Sequence, residues 1–281
     1  MVISPAAGRA ERLAALRGAI RDVEEREGRK GVRRAERLSA AMGEVPGEVV
    51  NTAHGPLHRL RNTLGTDHCH GRAPVGRALE VEGGVLAKLA LDPTLDGVDL
   101  RRLLIFDTET TGLSGGTGTL PFLIGTAWFD GTDLSVEQLF LRKPGEEGPM
   151  LRRFAEQLAG ASLLVSFNGK SFDWPMVRDR CVLHRLAAPS EDFAPPHHLD
   201  LLHLARRRYR RELPDCRLQT LERYLCGRRR AGDIPGSEIP AAYHRFARTG
   251  AMDQMQSVLH HNALDLVTLL QVSLTLAAAA A

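Results

Sequence analysis

Asp107 and Glu109 stand in the run Asp107-Thr108-Glu109-Thr110-Thr111-Gly112-Leu113, directly after the apolar stretch Leu103-Leu104-Ile105-Phe106. If that stretch is a strand, a spacing of two projects both carboxylates to the same side, about 7 Å apart along it. Two anions aimed at one site suit a cation, although D-x-E alone serves equally to solvate a strand end. Asp173 closes Asn168-Gly169-Lys170-Ser171-Phe172-Asp173 ahead of Trp174-Pro175, where it fits either a ligand or a helix N-cap before a first-turn proline. Asp265 lies in the periodic segment Met255 to Leu274, just after His260, His261 and Asn262. An aspartate on the apolar side of a buried helix is costly unless paired or bound to metal. Carboxylates are hard ligands, suited to Mg²⁺ or Mn²⁺.

The elements that must carry these acids are legible from periodicity. The continuous apolar run at Leu103 reads as a central strand buried on both faces. Phe122 to Phe129 and Leu134 to Leu141 read as two strands joined by Asp130-Gly131-Thr132. Met150 to Leu158 has helical spacing, Ser162 to Phe167 is a second buried strand, and Pro175 fits a first helical turn. Three strands, helix, strand, helix, then mostly helix describe an α/β domain with a mixed sheet over residues 99–281. Residues 1–98 read as an N-terminal extension: a helix with Leu13, Leu16, Ile20 and Val23 on one stripe, then short strands such as Val49-Val50 and Leu79-Glu80-Val81. No chemistry is assigned to the extension.

Of the 281 residues, 43% are hydrophobic and 25% charged, which excludes disordered, fibrous and integral membrane classes. The net charge of +3 says little, but residues 201–230 hold ten arginines against three acids. A solvated helix face accounts for such a run, and so does a phosphate-binding surface. Cys69, Cys181, Cys216 and Cys226 form no C-x-x-C pair and no secretory start is visible, which points to a reduced cytoplasmic setting. His68, Cys69 and His70 lack a second pair at zinc-site spacing and read as loop residues.

Taken together, the three acidic segments resemble, in order and local sequence, the motifs of the DEDD exonuclease superfamily with its ribonuclease H-like fold. Those motifs are D-x-E on the first strand, N-x-x-x-F-D later, and a final Asp on a late helix. The phrases Ser166 to Pro175, Leu199 to Arg206, Asp233-Ile234-Pro235-Gly236 with Ile239-Pro240, and His261-Asn262 are similar to the YprB-type ribonuclease H-like subfamily in particular. The resemblance covers roughly residues 99–275. It implies that Asp107, Glu109, Asp173 and Asp265 hold two divalent metals. It implies a 3′-to-5′ exonuclease acting on ends of single-stranded DNA or RNA, with Thr111, Gly112, Leu113 and Asn168 toward the terminal nucleotide. In that setting Arg207, Arg208 and Arg210, together with Arg228 to Arg230, become candidate phosphate contacts. A catalytically silent nucleic-acid-binding module and a structure-selective endonuclease are the alternatives. Related families place a Tyr four residues, or a His five residues, before the last Asp, whereas this chain offers His261 at four and His260 at five. At about 100° per residue, a spacing of four leaves two side chains within about 40°, while five separates them by about 140°. His261 is therefore the expected general base, provided the helix already includes it.

Overall fold

The computed structural model describes residues 45–112, 118–186, 195 and 197–279. The expected helix around Leu13 to Val23 and the candidate Leu113 lie outside the described residues. At the centre is strand β3 (Leu103–Thr110). Leu103 and Ile105 enter one apolar core and Leu104 and Phe106 the other, because successive strand residues point to opposite faces. Strand β4 (Pro121–Asp130) runs antiparallel to β3, and β5 (Asp133–Phe140) antiparallel to β4. The tight β4–β5 turn uses Gly131 at φ 67°, a left-handed conformation that glycine adopts without strain. On the other flank, β6 (Leu163–Ser166) and β7 (His198–Asp200) lie parallel.

The hairpin of β1 (Glu48–Thr52) and β2 (Gly55–Leu64) continues the same sheet, with β2 paired to β5. The full strand order is β1-β2-β5-β4-β3-β6-β7, the mixed sheet expected from the sequence. The expected strand at Leu79-Glu80-Val81 is absent. Residues Val75–Glu80 form a 3₁₀ helix behind Pro74, followed by helix α1 (Gly83–Ala90). The reason is a spacing of three: Val75 with Ala78, and Leu86 with Leu89, are the buried pairs, whereas a strand would bury alternate residues.

Helices α2 (Glu147–Gly160) and α3 (Asp173–Leu183) precede β7. Helix α4 (Leu201–Tyr209) follows it, and a short α5 (Leu218–Leu221) runs into a π-helical turn, Glu222–Cys226. Helix α6 (Ile239–Thr249) and the long α7 (Asp253–Ala278) complete the chain. The first half of α7 buries Met255, Val258 and Leu259 in one core, and its second half buries Leu266 to Leu276 in the other. Between those halves its polar residues His261, Asn262 and Asp265 meet the acidic end of β3. The changeover between two apolar faces is thus what frees one helical turn for polar work.

Candidate metal centre

Four carboxylates from three segments converge at the end of β3. Asp107 and Glu109 continue the face of Leu103 and Ile105 toward α7. Asp107 Oδ2 accepts from Asn262 Nδ2 at 2.9 Å, while ligand atoms of Glu109, His261 and Asp265 lie within 4.8 Å of one another. Asp173 is the first residue of α3, and no side chain caps that helix. Its carboxylate instead accepts from the Thr108 hydroxyl, so the N-cap alternative does not apply. The loop delivering Asp173 is fixed by Asp200, whose carboxylate accepts from the amides of Asn168 at 2.8 Å, Lys170 at 3.2 Å and Leu202 at 3.1 Å. Asn168 takes φ 62°, a left-handed conformation that asparagine tolerates. Gly169 is obligatory there, since a Cβ would fall 2.3 Å from Ser166 Oγ.

Helix α7 already includes both histidines, and phase separates them: His260 is exposed and His261 buried. His261 Nε2 lies 3.3 Å from Asp265 Oδ2, and Nδ1 lies 2.8 Å from Asp233 Oδ1. Arg230, with a side chain only 5% exposed, pairs with Asp265, with Glu222 at 2.5 Å and with Asp233 at 3.1 Å.

Crowding shows in the protonation equilibria. Burial pushes Asp107 and Glu109 well above the ordinary carboxylate range, and repulsion from the neighbouring acids adds to it. Burial carries Asp173 to about 6 against the Thr108 hydrogen bond. Burial also raises Asp265, opposed by Arg230 and His261. Anions held this close without enough positive charge are costly unless a cation joins them. The all-oxygen carboxylate set, with one imidazole at its side, fits a hard divalent ion.

A glycine missed by sequence reasoning supports this arrangement. Gly125 on β4 is paired opposite Asp107 and, on its other side, opposite Gln138 of β5. Asn262 descends from α7 onto that row, donating to Asp107 and accepting from Gln138 Nε2 at 2.9 Å, while Gln138 also donates to Leu259 O at 2.7 Å. A Cβ at position 125 would lie 2.2 Å from Asn262 Oδ1. Gly125→Ala is therefore expected to displace Asn262, lower stability by about 1–3 kcal/mol and reduce divalent-ion affinity. Urea unfolding and Mn²⁺ titration calorimetry check both; unchanged ion affinity would show that the clamp on Asp107 is dispensable. Glycine inside a strand is the local sign of such close approach.

Among the remaining candidates, the Thr111 amide donates to Leu120 O, and Thr111 O accepts from His244 Nε2 at 3.2 Å. Gly112 O accepts from Thr110 Oγ1 at 2.6 Å. Arg207 and Arg208 lie in the last turn of α4 and Arg210 just past it, with Arg208 paired to Glu212. At 1.5 Å per residue, that turn lies about 10 Å along the helix from Asp200. Sequence reasoning missed the parts played by Asp200, Asp233, Gln138 and Thr108. Of these, Asp200 and Asp233 stand in the quoted phrases and Thr108 within the D-x-E run, whereas Gln138 stands in none.

The sequence model of the RNase_H superfamily matches residues 104–277, a span that includes all four acids. An uncharacterized protein of Bacillus subtilis (strain 168), YprB, is 39% identical over 177 residues, which cover 63% of this chain and 42% of that protein. The chain thus spans less than half the length of that curated relative. Among solved structures, the family B DNA polymerase from the hyperthermophilic archaeon Pyrobaculum calidifontis aligns at TM-score 0.47 and 15% identity, over 61% of this chain and 24% of the polymerase.

Proposed function

This chain belongs to the RNase_H superfamily, and from that premise we propose that it is a metal-dependent 3′-to-5′ exonuclease of the DEDD type, hydrolysing single-stranded nucleic acid ends. The observation that carries the reading is the convergence of Asp107, Glu109, Asp173 and Asp265 on one site, where burial raises all four and repulsion from the other acids of the set adds to it at Asp107 and Glu109. Such a site gains by binding cations, and a phosphodiester substrate is the anion those cations would receive.

Asp107, Glu109, Asp173 and Asp265 would hold two Mg²⁺ or Mn²⁺ ions. When bound, such a pair supplies Lewis-acid activation of water and neutralises charge at the leaving oxygen. The chain's own residues position and move protons. Asn262 holds one oxygen of Asp107, and Thr108 holds the carboxylate of Asp173, so both acids are fixed in orientation toward the site. Asp233 accepts from His261 Nδ1–H, leaving Nε2 turned toward the acids and able to take a proton from the attacking water. Thr111, Gly112 and Asn168 border the site at the loops following β3 and β6, where a terminal nucleotide would lie.

Matched DNA and RNA strands, labelled at the 5′ end and incubated with Mg²⁺, Mn²⁺ or EDTA, test the reading. A ladder shortening from the 3′ end, abolished by EDTA, is the expected result. Internal cuts would instead indicate a structure-selective endonuclease. Shifted but intact bands would indicate a binding module.

A further inference from the structure

We propose that the groove between the π-helical turn and residues 228–230 binds the single strand behind its terminal nucleotide, an inference that rests on the nuclease reading above. The groove has a volume of about 340 Å³, and its lining includes Gln219, Arg223, Tyr224, Arg228, Arg229 and Arg230. Three features make it a strand path.

It adjoins the acids through Arg230. Arg230 forms its inner end and pairs with Asp265. Gln219 Nε2 donates to Asp233 Oδ2 at 3.2 Å, and Asp233 in turn holds His261. A strand lying here would run beside the wall shared with the metal centre.

Its accessible charge is positive. Arg223 and Arg229 are exposed and Arg228 is half-buried, while the one acid in the wall, Glu222, is 1% exposed. Glu222 is already engaged by Arg230, Arg228 and His70. Arg223 and Arg229 therefore present exposed positive charge to the groove, and the half-buried Asp215, next to Pro214 of the lining, is held by Thr220 and Arg217.

It also carries an aromatic platform. Tyr224 is 44% exposed although Leu221 and Cys226 beside it are buried, so the ring projects from an anchored turn. The Arg223 guanidinium lies 5.4 Å from the Tyr224 ring centroid. Phosphate-binding arginines interleaved with an exposed aromatic ring are the chemistry that binds single strands by backbone charge and base stacking. The other arginine cluster, Arg206 to Arg211, lacks this second component, because Tyr209 is only 7% exposed.

The test uses the whole 281-residue chain carrying Asp107→Asn, so that strands bind without being cut, and measures anisotropy of labelled 3- and 12-nucleotide DNA and RNA. Tyr224→Ala is expected to weaken 12-mer binding about tenfold while changing trimer binding less than about twofold, because the trimer ends before the platform. Tyr224→Phe should keep the 12-mer affinity. Arg229→Ala should reduce the slope of log affinity against log salt by about 0.7. Both positions are exposed, so folding should be unaffected. Unchanged 12-mer binding in Tyr224→Ala, no binding at either length, or a loss confined to Arg207→Ala, Arg208→Ala and Arg210→Ala combined would overturn the groove. A wild-type chain that cleaves nothing while Tyr224→Ala still weakens the 12-mer would overturn the nuclease reading and leave the groove standing as a binding surface.

Discussion

Asp107→Asn is expected to lower strand cleavage by about 10³-fold, corresponding to about 4 kcal/mol of transition-state stabilisation, while the chain stays folded and still binds strands. The replacement removes one negative charge but keeps an oxygen able to accept from Asn262, so the clamp on β3 survives. Retention of more than a tenth of wild-type turnover would remove Asp107 from the ligand set. A second readout separates lost ligation from lost fold. Carboxyl groups raised in the folded state contribute stability that is fully present below their unfolded values, near 4, and is lost as pH rises through the folded values. For Asp173 the folded value is about 6, and for Asp107 it lies well above the ordinary range. In EDTA, the wild-type melting temperature should therefore fall between pH 5 and 8, and Asp107→Asn should flatten that fall. Mn²⁺ should restore the wild type at pH 8 and restore the variant much less. Differential scanning fluorimetry with and without Mn²⁺ reads both effects; identical pH profiles would mean that Asp107 adds no repulsion to the site.

His261→Ala should reduce turnover by about 10²–10⁴-fold, the usual range for loss of a general base, and His260→Ala should cost much less. The difference is one of position. His261 is buried with its two nitrogens toward Asp233 and Asp265, while His260 faces solvent on the same helix. Single-turnover cleavage from pH 6 to 9 at saturating Mn²⁺ compares the two, with Mn²⁺ affinity measured separately by calorimetry. A crippled His260→Ala with an active His261→Ala would assign the base to the solvent-facing residue and require α7 to reorganise when substrate binds. Near-wild-type rates for both would leave the metal ions alone to activate the water.

How much of this site is legible in the sequence follows from how local its determinants are. The continuous apolar run Leu103 to Phe106 exposes the central strand, and the spacing of two between Asp107 and Glu109 exposes the carboxylate pair, because both traces lie within one short segment. The phase of His261 against Asp265 is legible for the same reason, four residues being one helical turn. Arg230 is not. It stands in a run of ten arginines, and its partners Asp265 and Glu222 are brought to it by folding of α7 and the π-helical turn. Gly125, inside the expected strand Phe122 to Phe129, carries the local sign of a close approach, but its partner Asn262 comes from α7 and is not named by anything near it in sequence. The extension is legible in part: Val49-Val50 does lie in β1, but pairing of β2 with β5 depends on a partner about 75 residues further along.

That pairing has a consequence for how the protein is handled. Residues Arg59 to Leu64 occupy the hydrogen-bonding side of β5 from Leu134 to Leu139. A recombinant fragment trimmed to begin at residue 99 would keep all four acids yet leave β5 as an open edge, its residues after Asp133 all buried in the intact chain. Unpaired backbone of that kind is a template for intermolecular strand addition. Trimming should thus give soluble aggregates in size-exclusion chromatography, with lost activity that has nothing to do with the chemistry of the centre.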